Sequence, residues 1–471
     1  MMHEFFLLAK QELAISLVIF ILLFIKVGSK EWSRTALLAL VNGLLLLNFA
    51  AGFLFPQQGI LFNEMFHTDA LATAEKNMLN LGTVIISLQA YDWLKTHSHI
   101  VEFYVLLLST LLGMFFMISA GNLLMFYLAL ELASIPLAAM ANFDLTRRQS
   151  SEAAMKYIIS SAFSSGLLLF GISMIYGTTG TLLFSQLPQH LQGNPLQLFS
   201  LVLLLAGFAF KISVVPFHLW TADVYEGAPV NVTAYLSVVS KAAAVFVFVL
   251  VLYTVLKPFA AAWYHVLFLL SVLTMFTGNL FALRQHNVKR LLAFSSIAQA
   301  GFILAGISGS SQAGMASTVY FILVYIFSNL GAFGVVAIVS ALTGKEEMAD
   351  YKGFYRTNPF LSWAMAISLF SLAGIPPTAG FFGKFFLLLA AAGKANYWLI
   401  GIAALNMIIS LYYYLKMIRI IFIDRNELEP IAKLPVHLYP RIALLVCMAG
   451  IITLGLFSQV YEYIFSISTG F

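Results

Sequence analysis

Apolar runs of about 20 residues, the length that carries a helix across a bilayer's hydrocarbon core, follow one another along almost all of this chain. Reading it this way gives roughly fourteen segments, near 11–26, 35–55, 70–91, 100–119, 121–142, 153–177, 196–219, 231–256, 262–283, 290–308, 313–342, 360–392, 396–423 and 441–466. The runs are continuously apolar and do not alternate over about ten residues as barrel strands do. The sequence therefore predicts an all-α polytopic membrane protein. A chain that is 61% hydrophobic and 10% charged, with a mean hydropathy of +0.92, excludes a soluble globular domain.

The longest connections, Thr178 to Pro195, Thr343 to Pro359 and Asp424 to Pro440, are each under about twenty residues and too short for a further domain. One transmembrane domain over 1–471 is expected, with N-terminal helices in 1–91, further helices in 100–256 and 262–423, and a last one in 441–466. Only Lys10 and Glu12 stand about the start of the first run and no small-residue cleavage site follows it, so it is expected to remain as the first helix. Cys447 is the single cysteine, which rules out an internal disulfide or iron-sulfur site. The net charge of +5 does not point to nucleic acid. Basic residues gather in alternate connections, from Lys26, Lys30 and Arg34 through Arg147, Arg148, Arg284, Lys289 and Arg290 to Lys345, Arg356, Arg419 and Arg425, while the other side has only Lys10, Lys257 and Lys394. By the positive-inside rule the rich side is cytoplasmic and both termini face outward. The connection from Trp220 to Asn231 breaks the pattern, placing Asp223 and Glu226 on the basic side with no Lys or Arg.

Lys76, Lys211, Lys241 and Lys384 lie inside the apolar runs. Such a residue costs roughly 2.5 to 3.5 kcal/mol at bilayer depth and commonly marks an ion or proton path. Glu131, midway along the fifth run, is either a protonated acid bonded to a carbonyl or the partner of a cation on another helix, and Lys211 is the natural candidate. Desolvation favours a neutral amine and a nearby carboxylate favours the ammonium, effects of comparable size. At about 4 Å and an effective dielectric near 20 such a pair is worth on the order of 4 kcal/mol, enough to switch a proton on or off. Lys241 follows Ser237 and Ser240 and could relay protons through water, the alternative being snorkelling to an interface. The seventh and twelfth runs are both interrupted, by Lys211 with Pro216 and by Gly374-Ile375-Pro376-Pro377 ahead of Lys384. A proline removes a donor and frees carbonyls for water or a cation, and paired broken helices are the mark of internal repeats in transporters. Glu75 and Lys76, being adjacent, point to different faces; His218 and His286 could exchange protons with water near neutral pH; Glu102 reads as a helix-end acid. No dinucleotide or P-loop motif is present, so the chain offers no nicotinamide or ATP site of recognisable kind.

The run Gly207-Phe208-Ala209-Phe210-Lys211-Ile212-Ser213-Val214-Val215-Pro216-Phe217-His218-Leu219-Trp220, continuing to Gly227-Ala228-Pro229, closely resembles the signature of the antiporter-like subunits of respiratory complex I and of Mrp-type cation/proton antiporters. The Glu131 segment, Ser240-Lys241-Ala242, Asn287 to Ile297, Ala373 to Pro377 and Gly383-Lys384-Phe385 extend the resemblance over nearly all the runs. It implies two inverted five-helix repeats, helices 4 to 8 and 9 to 13, with helices 7 and 12 broken. It also implies a proton relay through Glu131, Lys211, Lys241 and Lys384, the first two as switching pair, Lys241 as central relay and Lys384 as exit. In that family proton pumping is coupled to NADH-to-quinone electron transfer in other subunits. The chain is then expected to bind no cofactor itself, with FMN, iron-sulfur clusters and quinone in partner subunits. Adjacent antiporter-like and small membrane subunits and the lipid bilayer would be its partners, in a bacterial inner membrane with both termini periplasmic. A lysine at the Lys384 position, and a chain that stops just after the fourteenth run without a long lateral helix, narrow the type of subunit. Ala222 stands where proline is common, and Gln299 where many members carry histidine, so no histidine relay is expected there. The alternatives are an Mrp-type cation/proton antiporter subunit without redox coupling and a scaffold whose buried charges serve assembly.

Overall fold

The computed structural model describes residues 2–28, 32–54, 58–393, 396–424 and 431–469; Lys30, Lys394 and Arg425 lie outside them. Eleven of the described helices are long and apolar enough to cross a membrane. The chain is thus an all-α polytopic membrane protein, its only sheet among the described residues being the hairpin Gly59–Leu61 with Phe66–Thr68. Three of the expected runs are helical in a different way. Lys10–Val27 carries Lys10, Glu12 and Lys26, Ala70–Gln89 carries Glu75, Lys76, Asn77 and Asn80, and the twelfth run is divided into Pro359–Ala373 and Ala379–Ala392.

The described helices sort by burial. In the most apolar stretch of Val288–Ile307 and of Gln312–Thr343, 94% of the residues are buried, and in that of Val230–Tyr253 89%, whereas in Lys257–Ala282 and Tyr397–Phe422 the share is 33%. The tenth, eleventh and eighth runs therefore form the centre, and the ninth and thirteenth turn an apolar face outward. Helix ends differ from the apolar runs where polar residues continue the helix: the sixth extends from Arg148 to Thr179. The connection assigned to Trp220–Asn231 is itself helical over Leu219–Gly227, because the break after Lys211 is short and the chain resumes its helix before the surface.

Several local features occur twice. Asn122 caps Leu123–Ala141 through the Met125 amide and bridges to Leu183, and Asn287 caps Val288–Ile307 through the Arg290 amide and bridges to Glu347. A Cβ on Gly113 would stand 2.4 Å from the Ala133 nitrogen, and one on Gly278 2.4 Å from that of Ala298, so each glycine lets two helices touch backbone to backbone. Two helices of 32 residues, Arg148–Thr179 and Gln312–Thr343, end on left-handed Gly180 and Gly344. Pro195–Ile212 and Pro359–Ala373 both start on proline and stop at a left-handed residue, Ser213 or Gly374.

Candidate functional site

The seventh helix stops where Ser213 turns left-handed at φ 67° and the Val214 amide reaches back to the Ala209 carbonyl at 2.8 Å. Lys211, in its last turn, donates to Ser134 Oγ at 2.6 Å and Ser161 Oγ at 2.9 Å, with the Tyr157 ring 5.9 Å away. The expected contact with Glu131 is not what holds this ammonium. Glu131 lies one turn before Ser134 on the same helix and, among the described residues, makes no ion pair within 4.0 Å and keeps a buried Oε1 without a hydrogen-bond partner.

Lys241 follows a π-helical turn, Leu236–Ser240, in the eighth helix. Its side chain is 2% exposed and donates to Ser296 Oγ at 2.5 Å and the Ser296 carbonyl at 3.3 Å, so it does not snorkel. Ser296 in turn meets Ser237 at 3.4 Å, and Asn329 donates to Ser237 at 2.8 Å and to the Tyr325 hydroxyl at 2.7 Å. Among the described residues the ligands of the ammonium are the hydroxyl and backbone oxygens of Ser296, with no carboxylate.

The twelfth-run break explains Lys384. Pro376 and Pro377 have no N–H, so the carbonyls of Leu372 and Ala373 lose the donors a continuing helix would supply four residues on. Lys384, 1% exposed, donates to both, at 2.7 and 3.4 Å, and lies 4.9 Å from the Phe302 ring. Gln299 donates to the same Leu372 carbonyl at 3.1 Å and to the Tyr414 hydroxyl at 3.2 Å. Ser296 and Gln299 are one turn apart on the tenth helix, which therefore touches both the Lys241 and the Lys384 positions.

Sequence reasoning missed Ser134, Ser161, Ser296 and the Leu372 carbonyl, and set Gln299 aside. The available signal was the Pro-Pro pair, which names the freed carbonyls. Lys289, counted among loop cations, is 2% exposed in the tenth helix and pairs with Glu346 at 2.9 Å. Glu12, taken as a charge at the start of the first run, is buried and pairs with Lys76 at 2.5 Å. Glu102 is the helix-end acid expected, paired with Lys26 at 2.7 Å, and His218 Nδ1 is buried with no hydrogen-bond partner among the described residues.

The two acids on the basic side are accounted for. Asp223 meets Lys156 at 2.7 Å and Arg290 at 2.9 Å, and Glu226 meets Arg290 at 2.6 Å, tying Leu219–Gly227 to the sixth and tenth helices. Partial burial pushes the Asp223 carboxyl up, but hydrogen bonds from Lys156 and Arg290 and their charges outweigh it and hold it below its usual value. At Asp92, beside His437 at 2.5 Å, burial wins over the histidine and the carboxyl is raised.

Apolar helices that enclose lysine ammonium groups, two of them at helix breaks, define the class as an ion-translocating membrane protein. Residues 120–410 match the family model of NADH:quinone oxidoreductase/Mrp antiporter transmembrane proteins. NADH-quinone oxidoreductase subunit N of Phocaeicola vulgatus is 48% identical, covering 95% of this chain and 95% of its own, and that of Azobacteroides pseudotrichonymphae is 45% identical, covering 99% and 98%. A chain of respiratory complex I from Thermus thermophilus with bound aureothin is 29% identical with a TM-score of 0.78, covering 96% of each chain. A chain of the Mrp complex from Dietzia sp. has the same fold, with a TM-score of 0.85 at 20% identity, covering 98% of this chain and 96% of that one. The chain belongs to the NADH:quinone oxidoreductase/Mrp antiporter family, and within it to the N subunits of NADH-quinone oxidoreductase.

Proposed function

We propose that the chain is a proton-translocating membrane subunit of a bacterial NADH-quinone oxidoreductase and carries protons along Glu131, Lys211, Lys241 and Lys384. The observation that carries this reading is the setting of the last two lysines. Each is almost wholly buried on hydroxyl or carbonyl oxygens with no carboxylate partner among the described residues, and on one helix Ser296 accepts from Lys241 while Gln299 shares the Leu372 carbonyl with Lys384. An ammonium bonded to neutral oxygens can give up its proton without stranding a buried carboxylate, so its two protonation states are closer in energy than in an ion pair. Water near Ser237, Ser296 and Tyr325 would pass the proton on. Glu131 acts on Lys211 across Ser134: a change in its charge alters the field at Ser134 and so the balance between ammonium and amine.

Electron transfer from NADH to quinone takes place in partner subunits, which hold FMN, the iron-sulfur clusters and the quinone; this chain contacts adjacent antiporter-like and small membrane subunits. Its 471 residues form one domain of fourteen membrane helices, with helices 4 to 8 and 9 to 13 as inverted repeats. The twice-occurring caps at Asn122 and Asn287, the Gly113 and Gly278 contacts and the two broken helices support that division. The basic loops are cytoplasmic and both termini periplasmic.

The test is NADH-driven acidification of inverted membrane vesicles. Lys211→Ala is expected to assemble and to lose proton transport; transport at the wild-type rate would refute the route. Exchange driven by a sodium gradient without NADH would instead identify an Mrp-type antiporter subunit.

A further inference from the structure

The proposed relay makes no use of the most deeply buried ion pair in the described residues. Glu12 and Lys76 meet at 2.5 Å with side chains 2% and 1% exposed. Ser119 donates to Glu12 at 3.3 Å, the Phe66 ring lies 5.3 Å from the ammonium, and Gln11 donates to the neighbouring Asn77 at 2.7 Å. From this pair a seam of asparagines runs between Arg34–Leu54 and Ala70–Gln89. Asn80 donates across it to the Leu45 carbonyl at 2.9 Å, and Gly52 admits Asn77, since a Cβ there would stand 2.2 Å from its Oδ1.

Much of the seam's bonding capacity is unused by protein. Glu12 Oε2, Asn42 Oδ1, Asn77 Nδ2, Asn80 Oδ1 and both polar atoms of Asn48 are buried without a partner among the described residues. Buried polar atoms are paired with protein or with ordered water, and leaving them dry is costly, so this concentration of donors and acceptors is a binding place for water. The ion-pair end of the seam borders the outside. The backbone of Ser119 accepts from the His67 amide at 2.8 Å, and its neighbours Ile118 and Ala120 line a 260 Å³ surface cavity with Glu64 and His67.

We propose that Glu12 and Lys76, wetted by the asparagine seam, form a second proton-exchanging site in the N-terminal three helices, opening toward the Glu64 and His67 face. The inference rests on the proton-translocation reading. In the pair the shared proton sits on Lys76 as ammonium or on Glu12 as acid; passing it to a seam water leaves the Glu12 carboxylate and the neutral Lys76 amine. A structural staple would behave otherwise, because apolar residues of similar size replace a buried ion pair with little loss of stability.

The experiment uses inverted membrane vesicles carrying the assembled complex, following acidification and NADH oxidation together. Asn48→Leu removes no protein hydrogen bond and dries the seam; Glu12→Leu with Lys76→Met removes the pair without stranding a charge. Both are expected to keep the complex assembled and to lower the protons moved per NADH at least twofold. A wild-type ratio in both variants would overturn the proposal and make the pair a staple. If the paired variant does not assemble, Asn48→Leu decides by the same criterion. Lys211→Ala is run alongside: if it alone pumps normally, the lysine route fails while the result for the seam stands.

Discussion

At the residue scale the question at Lys241 is whether the site needs a positive charge or a group that can lose one. Arginine separates the two, since a guanidinium stays protonated under all working conditions. Lys241→Arg is expected to abolish NADH-driven vesicle acidification as completely as Lys241→Met, by about 100-fold or more, whereas a scaffold would tolerate arginine better than methionine. The Lys384 position offers a subtler test: Pro376→Ala gives the Leu372 carbonyl a potential backbone donor and should weaken its hold on the ammonium at 2.7 Å, slowing acidification with assembly unchanged. The lysines could be read from sequence because an ionisable group in an apolar run stands out. Their ligands could not, because Ser134, Ser161 and Ser296 are unremarkable on membrane helices and a carbonyl has no letter of its own. Glu12 was misread because charge at a helix start usually flanks a membrane, and only the fold shows that Lys76 comes to meet it.

At the scale of elements, the broken seventh helix is held at its far end by Asp223 and Glu226 on Arg290. Because the Asp223 carboxyl is held below its unfolded value, this latch contributes fully above about pH 4 and is lost as pH falls through the lower folded-state value. Melting temperature in detergent should therefore be insensitive to Asp223→Asn at low pH and fall with that substitution near neutrality. The partners are partly exposed, so the effect is about 1 kcal/mol or less. Contact between the ninth and tenth helices is far less tolerant. Gly278→Val places a side chain against the Ala298 backbone and should cost about 1 to 3 kcal/mol or more, seen as loss of assembled complex on native gels. Gly43→Ala, with nothing within 4 Å, should be silent. Helix identity was legible in hydropathy, but the Trp220 connection was not recognised as helix because Asp223 and Glu226 resemble a loop until Lys156 and Arg290 are seen beside them.

At the scale of the molecule, the alternation of basic loops makes a prediction about sidedness. With Cys447 wholly buried, the native thiol background is low. Cysteine at exposed Lys257 should react with an impermeant maleimide from the periplasmic side and cysteine at exposed Lys352 only from the cytoplasmic side, and the reverse result would invert the topology. The sequence could announce that many helices cross the membrane because length and hydropathy are properties of single runs; which helices become the centre depends on pairings between distant ones, such as Gly278 against Ala298. The π-helical turn at Leu236–Ser240 carries a last consequence of this dependence. It fits one residue more into a turn than an α-helix does, so everything from Lys241 onward is rotated by about 100° relative to an unbroken helix. The ammonium's bearing on Ser296 is thus a matter of counting: the same residues wound as an unbroken α-helix would aim the lysine at a different neighbour, whereas a relative one residue shorter between 236 and 240 would reach the same bearing with no π turn at all.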